Sequence, residues 1–362
     1  MSRAKKSGRS SFAQGALLYA LILLLVMSGA VFLLHNYLAV YEQTRPATAV
    51  RAYMDGLRGE GFEAFRQQAL AGLDQKLSSE EERDAFLRGL LDDMSWAEDL
   101  AGSSEKEKLF TIRVGGKPIG TLRLVPEEEQ RMGLSGWRPA GAEYDLSAFF
   151  TAREITVPSD CRVLVNGQAL GSEYIIGRGI PYARLEQFYE HLDGLPTLTR
   201  YESGECLPGA RVQLLDASGR EIPEEDWNED CWLSNCTAEQ TDALESFLER
   251  FVTLYIRYTA DIDMERDSYY LDLSPLVLPG SPLQTRLRQG VDSSWWNWTE
   301  ECSLQGMEIH LLSDLGDGRF FADLSYETRT VAQGTASADR YNIRLIVCDT
   351  NGVLKASHLF NY

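Results

Sequence analysis

The feature that most constrains this chain is an uncharged apolar run near its N-terminus. The segment SFAQGALLYALILLLVMSGAVFLLHNYLAVY, from Ser11 to Tyr41, contains no Asp, Glu, Lys or Arg. A helix of about 20 apolar residues is long enough to cross the hydrocarbon core of a bilayer. A buried helix of a soluble domain is seldom apolar on all sides over such a length. The run therefore predicts one transmembrane helix, over residues 11–38.

A cleaved signal peptide is the alternative interpretation of this run. The stretch PATAV supplies an A-x-A pattern at Ala47 and Ala49. Signal peptides, however, have an apolar core of about 7–15 residues with the cleavage site close behind it. Here the apolar core is longer and Ala49 lies well past its end, so we expect an uncleaved anchor.

The charges that flank the anchor predict its orientation. Four cations precede it in the tail of residues 1–10: Arg3, Lys5, Lys6 and Arg9. Positively charged flanks of a membrane helix stay in the cytoplasm. We therefore expect a single-pass cell-membrane protein with a cytoplasmic N-terminus and an ectodomain on the outer side.

The composition indicates a folded, acidic ectodomain. Hydrophobic residues make up 44% of the chain and charged residues 25%, as in globular proteins. Asp and Glu outnumber Lys and Arg by 54 to 35, which gives a net charge of -19. Such a field repels nucleic acids and anionic wall polymers. Because no glycine-rich nucleotide loop occurs either, we expect no nucleic-acid partner and no cofactor.

Residues 46–151 and 239–362 share one order of elements, helices first and strands afterwards. In the first region a capping-box pattern, Ser79 to Glu82, opens a helix before the strand pair around Gly115-Gly116. In the second, a similar box, Thr237 to Gln240, opens a long amphipathic helix, and three strands are predicted after residue 301.

The stretch between them, residues 152–238, has the pattern of a small β-rich module. Its Asn166-Gly167 pair lies between alternating segments, which is the strongest short signal for a tight hairpin. Strand parity places Cys161 and Cys206 on inward faces, so we expect a disulfide between them.

A second pair of cysteines, Cys302 and Cys348, is the next candidate for a disulfide. They begin and nearly end the C-terminal set of strands, and could meet if those strands are neighbours. The remaining two, Cys231 and Cys236 in CWLSNC, lack the ligand spacing of a zinc site, so no metal is expected.

Helices followed by an antiparallel sheet that wraps a long helix form an order that resembles the NTF2-like (cystatin-like) cone. The better match is residues 239–362, and residues 46–151 look like a shorter copy. One span followed by tandem outward modules is similar to the teicoplanin-resistance-associated membrane proteins of Gram-positive bacteria, although their cytoplasmic zinc ribbon is absent. It is less closely similar to conjugation-channel proteins with tandem NTF2-like domains. The resemblance implies an α+β fold in which two NTF2-like domains flank the β-rich module, and a cell-envelope role.

Few residues of the chain could support catalysis. No H-E-x-x-H or G-x-S-x-G motif occurs, and the S-x-x-K match at Ser103 lacks its partner motifs. The polar groups that could reach the cavity of a C-terminal cone are Tyr255, Tyr258, Asp261, Asp263 and His310. A carboxylate in such a cavity could act as a base. More commonly, however, an aromatic stripe is core and a run like DIDMERD is a solvated loop, so we expect no enzyme.

Three tryptophans, Trp295, Trp296 and Trp298, lie within four positions in DSSWWNW. In a helical turn or in a strand, two of the three rings share a face. We expect that pair to pack the helix-to-sheet junction of the C-terminal cone, because each ring buries about 150–250 Å². The alternative is an exposed platform for a glycan or a protein.

The sequence as a whole predicts a noncatalytic binding or scaffold protein of the cell envelope. The anchor, the tandem modules and the missing catalytic set favour presentation to another envelope protein or to a cell-wall component. A small-ligand sensor or an enzyme that uses the C-terminal cavity is the alternative, and a cone packed solid by Tyr255, Tyr258 and tryptophan side chains would exclude it.

Overall fold

The computed structural model describes residues 8–262, 265–290 and 299–362. Four of the candidate site residues, Asp263, Trp295, Trp296 and Trp298, lie outside the described residues, as do the cations Arg3, Lys5 and Lys6.

Helix α1 (Gly8–Gln43) contains the apolar run. Its segment Gly15–Gln43 is long and apolar enough to cross a membrane, and none of its most apolar stretch is buried within the protein. Side chains such as Leu24, which is 68% exposed, would destabilise the helix in water, whereas lipid accommodates them. The predicted apolar helix is confirmed, and its orientation stays a prediction.

The chain divides into two compact units. The first comprises Met1–Arg153 and Ser203–Arg211, and the second comprises Glu154–Glu202 and Val212–Tyr362. Each unit combines helices with antiparallel strands, which confirms the α+β class. The predicted domain boundaries stay a prediction.

In the first unit, three short helices precede a four-stranded sheet. The helices are α2 (Pro46–Gly56), α3 (Phe62–Ala69) and α4 (Glu80–Asp92). The strands are β1 (Met94–Glu98), β2 (Lys108–Val114), β3 (Lys117–Arg131) and β4 (Leu134–Tyr144), in the order β1-β2-β3-β4. The predicted capping box is confirmed, because Ser79 and Glu82 satisfy each other's backbone amides at the start of α4.

The core of this unit forms between the helices and one face of the sheet. Fully buried Val50 and Leu87 come from the helices, and Ile112 and Leu122 come from the sheet. The turn between β2 and β3 consists of Gly115 and Gly116, both with positive φ, a conformation that glycine adopts without strain.

The second unit begins with two small sheets. One has the order β5-β9-β8, and the other has the order β11-β10-β6-β7. Their strands are β5 (Glu154–Pro158), β6 (Arg162–Val165), β7 (Gln168–Ala169), β8 (Ile175–Pro181), β9 (Thr197–Glu202), β10 (Val212–Leu215) and β11 (Glu221–Ile222). The predicted hairpin is confirmed, with Asn166 and Gly167 at φ values of 50° and 77° between β6 and β7.

Four helices and a long sheet complete this unit. The helices are α5 (Glu229–Leu233), α6 (Ala238–Ala260), α7 (Arg266–Leu273) and α8 (Pro282–Gln289). The strands are β12 (Thr299–Gly316), β13 (Arg319–Ala332), β14 (Thr335–Asp349) and β15 (Leu354–Asn361), in chain order across the sheet. Helix α6 opens with the predicted capping box of Thr237 and Gln240. Its apolar stripe packs on the sheet, with Phe251 and Leu324 both fully buried.

The C-terminal sheet differs from the sequence prediction in its number of strands. It has four strands instead of three, because Asn351 and Gly352, both at positive φ, turn the chain between β14 and β15. Both faces of β13 are buried, since Phe321 on the face opposite α6 packs against Phe188 of a 3-10 helix that covers it.

The predicted disulfides are wrong, because all six cysteines have free thiols. Cys302 lies opposite Thr330 and Cys348 lies opposite Arg319, at sites 11 residues apart on β13. At roughly 3.3 Å per residue that separation is about 36 Å, far beyond the reach of a disulfide. The strands that pair with β6, which follows Cys161, are β10 and β7, and neither carries a cysteine.

Candidate functional site

The face of the C-terminal sheet that lies under the end of α6 is polar where a core would be apolar. On β13 the alternating residues Tyr326, Thr328 and Thr330 point to this face. Their partners on β14 are, in the same order, Tyr341, Asp339 and Ser337. Because directly opposed residues of an antiparallel pair share a face, the three pairs form parallel rows across the sheet.

Strand β12 extends all three rows. Cys302 lies opposite Thr330, Leu304 lies opposite Thr328, and Met307 lies opposite Tyr326. The Cys302 Sγ atom is 3.6 Å from the Thr330 hydroxyl. Register shifts along β12 mark bulges, which bend a strand and so help the sheet to curve.

Helix α6 closes the space over these rows. Its last turns place four residues toward the sheet: Tyr255, Ile256, Thr259 and Ala260. They leave a cavity of about 300 Å³, which Thr299 and Asn361 also line. The cavity lies wholly within the second unit.

The polar groups of the cavity are buried in its inner part and exposed at its mouth. Tyr255, Tyr326 and Thr328 are each no more than 6% exposed and form its inner part. Ser337, Asp339 and Tyr341 are exposed and form its mouth. The rings of Tyr326 and Tyr341 stack with their centroids 5.4 Å apart, so an aromatic column runs from the mouth inward.

Burial keeps the ionisable groups of the inner cavity protonated. It raises the pKa of Tyr326 and of Tyr255, the latter against the opposing effect of the nearby Arg286 guanidinium. It also raises the pKa of the Cys302 thiol, although the hydrogen bond with Thr330 opposes the shift. A protonated thiol is a poor nucleophile and a protonated phenol is a poor base. These groups are suited to hydrogen bonding.

Asp339 is the one charged residue among the described residues that line the cavity. Its Oδ2 atom is 3.3 Å from the Ser337 hydroxyl. The neighbouring Arg340 points to the other face of the sheet, where it donates to Glu308 and to Ser325, each at 2.7 Å.

Of the described site residues that were predicted from the sequence, some line the cavity and others lie outside it. Tyr255 lines the cavity. The buried Tyr258 does not, since its hydroxyl donates to the carbonyl oxygen of Leu287 on α8. Asp261 ends α6 in a left-handed conformation and pairs with Arg266 at 3.1 Å. His310 lies outside the cavity lining, with Nδ1 at 4.0 Å from a Glu308 oxygen.

Sequence analysis missed the polar rows of β13 and β14. A signal was present, because SYETRTV and SADRY place hydroxyl or carboxylate groups at every second position of strands whose other ends are apolar. The pairing register that brings Thr328 beside Asp339 is a long-range property that the pattern of one strand does not specify.

No protein-family model matches the chain, and no curated protein matches it. Among solved structures, one described as an Ntf2 like protein involved in plasmid conjugation is similar. It is 11% identical, with a TM-score of 0.24, and the match covers 83% of this chain and 94% of that chain. A TM-score of this size does not establish that two chains share a fold.

Proposed function

We propose that this chain is a membrane-anchored, noncatalytic binding protein of the bacterial cell envelope. Helix α1 holds it in the membrane with its N-terminus in the cytoplasm, and the NTF2-like domains of residues 46–151 and 239–362 lie outside. Its partner is an envelope protein or a cell-wall component, and the cavity between α6 and the C-terminal sheet receives part of that partner.

The observation that carries the proposal is the open cavity. A space of about 300 Å³ is at the small end of the range of ligand pockets, about 300–1,000 Å³. A core would fill such a space with apolar side chains, because a void costs stability. Here its walls carry hydroxyl groups, with buried Thr328 and Tyr326 deep inside, which supports a role in recognition.

The protonation of the cavity lining supports a noncatalytic role. The thiol of Cys302 and the phenols of Tyr255 and Tyr326 have raised pKa values, and the carboxylate of Asp339 lies at the exposed mouth. Asp261 and His310, the acid and base candidates from the sequence, lie outside the lining. A paired nucleophile and base is therefore lacking among the described lining residues.

Site-specific photocrosslinking in cells tests the binding role. A photoreactive phenylalanine analogue replaces Tyr341 at the cavity mouth of the full chain, and a matched variant carries it at Leu271, which is 70% exposed on α7. We expect a discrete adduct from position 341 and none from position 271. Equal adducts at both positions, or none at position 341, would contradict the proposal.

The proposed orientation has its own test. Cys231 is exposed on α5, so a maleimide that cannot cross membranes should modify it on intact cells. Modification only after cell lysis would place this unit on the cytoplasmic side.

A further inference from the structure

We infer that the cavity of the C-terminal sheet binds one uncharged sugar ring of a glycan. The inference rests on the proposed binding function and names the chemical class of the ligand. It follows from the kind of polar groups in the lining, from their charge balance and from the size of the space.

Hydroxyl groups dominate the cavity lining. Eight of the 13 lining residues carry one: Tyr255, Thr259, Thr299, Tyr326, Thr328, Thr330, Ser337 and Tyr341. A hydroxyl both donates and accepts hydrogen bonds, so it can match a ligand hydroxyl in either orientation. A sugar ring presents several hydroxyls in different directions, and a lining of this kind is complementary to it.

The mouth of the cavity supplies the other two groups that suit a sugar. Asp339 can accept hydrogen bonds from two adjacent ligand hydroxyls, because each of its carboxylate oxygens has free acceptor sites. Tyr341 is 40% exposed and stacks on Tyr326, so its ring offers an apolar surface at the entrance. The aliphatic C–H face of a sugar packs on such a surface.

The charges around the cavity favour an uncharged ligand. Asp339 is negative, whereas the positive charges of Arg257 and Arg286 act on Cys302 and Tyr255 in the lining. Charges of both signs therefore surround the lining, and neither an anion nor a cation meets charges of the opposite sign alone. The net charge of -19 in addition repels anionic polymers from the protein as a whole.

The volume of the cavity limits how much of a glycan can enter. About 300 Å³ holds a single small ring, since larger pockets of up to about 1,000 Å³ are the ones that take extended ligands. The remaining residues of the glycan would continue outward past Asp339 and Tyr341.

Saturation-transfer NMR with the full chain in detergent micelles tests the inference. The probes are methyl β-D-glucoside and methyl N-acetyl-β-D-glucosaminide, which distinguish a plain sugar from an acetamido sugar. Methyl β-D-glucuronide is the charged counterpart. We expect at least one neutral glycoside to bind about tenfold more tightly than the glucuronide.

Two matched variants locate the binding. Thr328→Val removes a buried hydroxyl from the cavity with almost no change of shape, and Thr335→Val makes the same change on β14 outside the lining. We expect Thr328→Val to weaken binding of the neutral glycoside by about tenfold, because a buried hydrogen bond is lost. Thr335→Val should leave the binding unchanged.

The outcomes separate this inference from the proposed function. Equal binding of neutral and charged glycosides, or equal binding by Thr328→Val and the parent, would overturn the sugar assignment. If no glycoside binds while position 341 still gives its adduct in cells, the ligand class is wrong and the binding role stands. If no glycoside binds and the adduct is also absent, both are wrong.

Discussion

Arg184 donates a hydrogen bond from Nη1 to a carboxylate oxygen of Asp323 at 2.8 Å, although 139 positions separate the two residues and Asp323 is completely buried. Arg344 donates to the same oxygen at 3.2 Å, and the Tyr362 hydroxyl donates to the other oxygen. The carboxylate of Asp323 thus joins the 3-10 helix Ala183–Phe188 to β13 and β14.

Replacing Asp323 should destabilise the second unit strongly. Asp323→Ala leaves the guanidinium groups of Arg184 and Arg344 without their buried partner, and breaking such a pair costs about 3–5 kcal/mol of unfolding free energy. Denaturant unfolding followed by circular dichroism measures the loss. The control Glu249→Gln, at an exposed position of α6, should stay within about 0.5 kcal/mol of the parent. An unchanged denaturation midpoint for Asp323→Ala would show that this network adds nothing to stability.

The hydroxyl group of Tyr258 should contribute to stability, whereas that of Tyr255 should contribute to binding in the cavity. Tyr258→Phe removes the buried hydrogen bond to the Leu287 carbonyl and should lower the free energy of unfolding by about 1–3 kcal/mol. It should leave the adduct from position 341 unchanged, because Tyr258 does not line the cavity. Tyr255→Phe should reduce the adduct. The assignment of Tyr258 to the core fails if Tyr258→Phe abolishes the adduct while the protein stays folded.

The stability of the second unit should fall in mild acid because of His358. Burial, with a contribution from the nearby His191, lowers the pKa of His358 below its usual value of 6.5. The unfolded chain therefore binds a proton at a higher pH than the folded chain does. Stability is complete above pH 6.5, decreases as the pH falls below that value, and levels off beneath the folded pKa.

A variant isolates this pH dependence. His358 packs against Phe188, so His358→Phe fits the aromatic surroundings and removes the titrating ring. Its unfolding free energy should change less than that of the parent between pH 7 and 5. The control His310→Gln, on β12, should keep the slope of the parent. Equal slopes for His358→Phe and the parent would assign the acid sensitivity to other groups.

The six thiols should react in an order set by burial. Cys231 is exposed and should be alkylated first in the native protein. Cys161 is buried, and burial raises the pKa of its thiol to about 11, so it should react only after unfolding. Peptide mapping without reduction checks this order. A bridge between Cys302 and Cys348 would contradict the pairing of β12 and β14 with opposite edges of β13.

Elements whose signals are local could be predicted from the sequence. Each capping box, such as Thr237 with Gln240, lies within one helical turn, and the Asn166-Gly167 hairpin turn needs only two residues. The amphipathic stripe of α6 is similarly local, and its packing face is confirmed.

Features that depend on contacts between residues far apart in the sequence could not be predicted. Asp323 alternates with apolar residues and so appears solvent-facing, but the 3-10 helix around Arg184 covers it. The cavity depends on the register of β13 and β14, which sets Thr328 beside Asp339. The alternation of residues along the strands predicted a disulfide between Cys161 and Cys206, but this alternation does not show which strands pair with β6.

The most direct test of the binding role is to fill the cavity and measure capture of the partner. Thr328→Phe adds a ring within the cavity, and Thr335→Phe adds the same ring at an exposed position of β14. Each is combined with the photoreactive residue at position 341, and thermal unfolding confirms that both proteins remain folded. We predict that Thr328→Phe loses the adduct and that Thr335→Phe keeps it. An adduct of equal yield from both folded variants would contradict binding in this cavity.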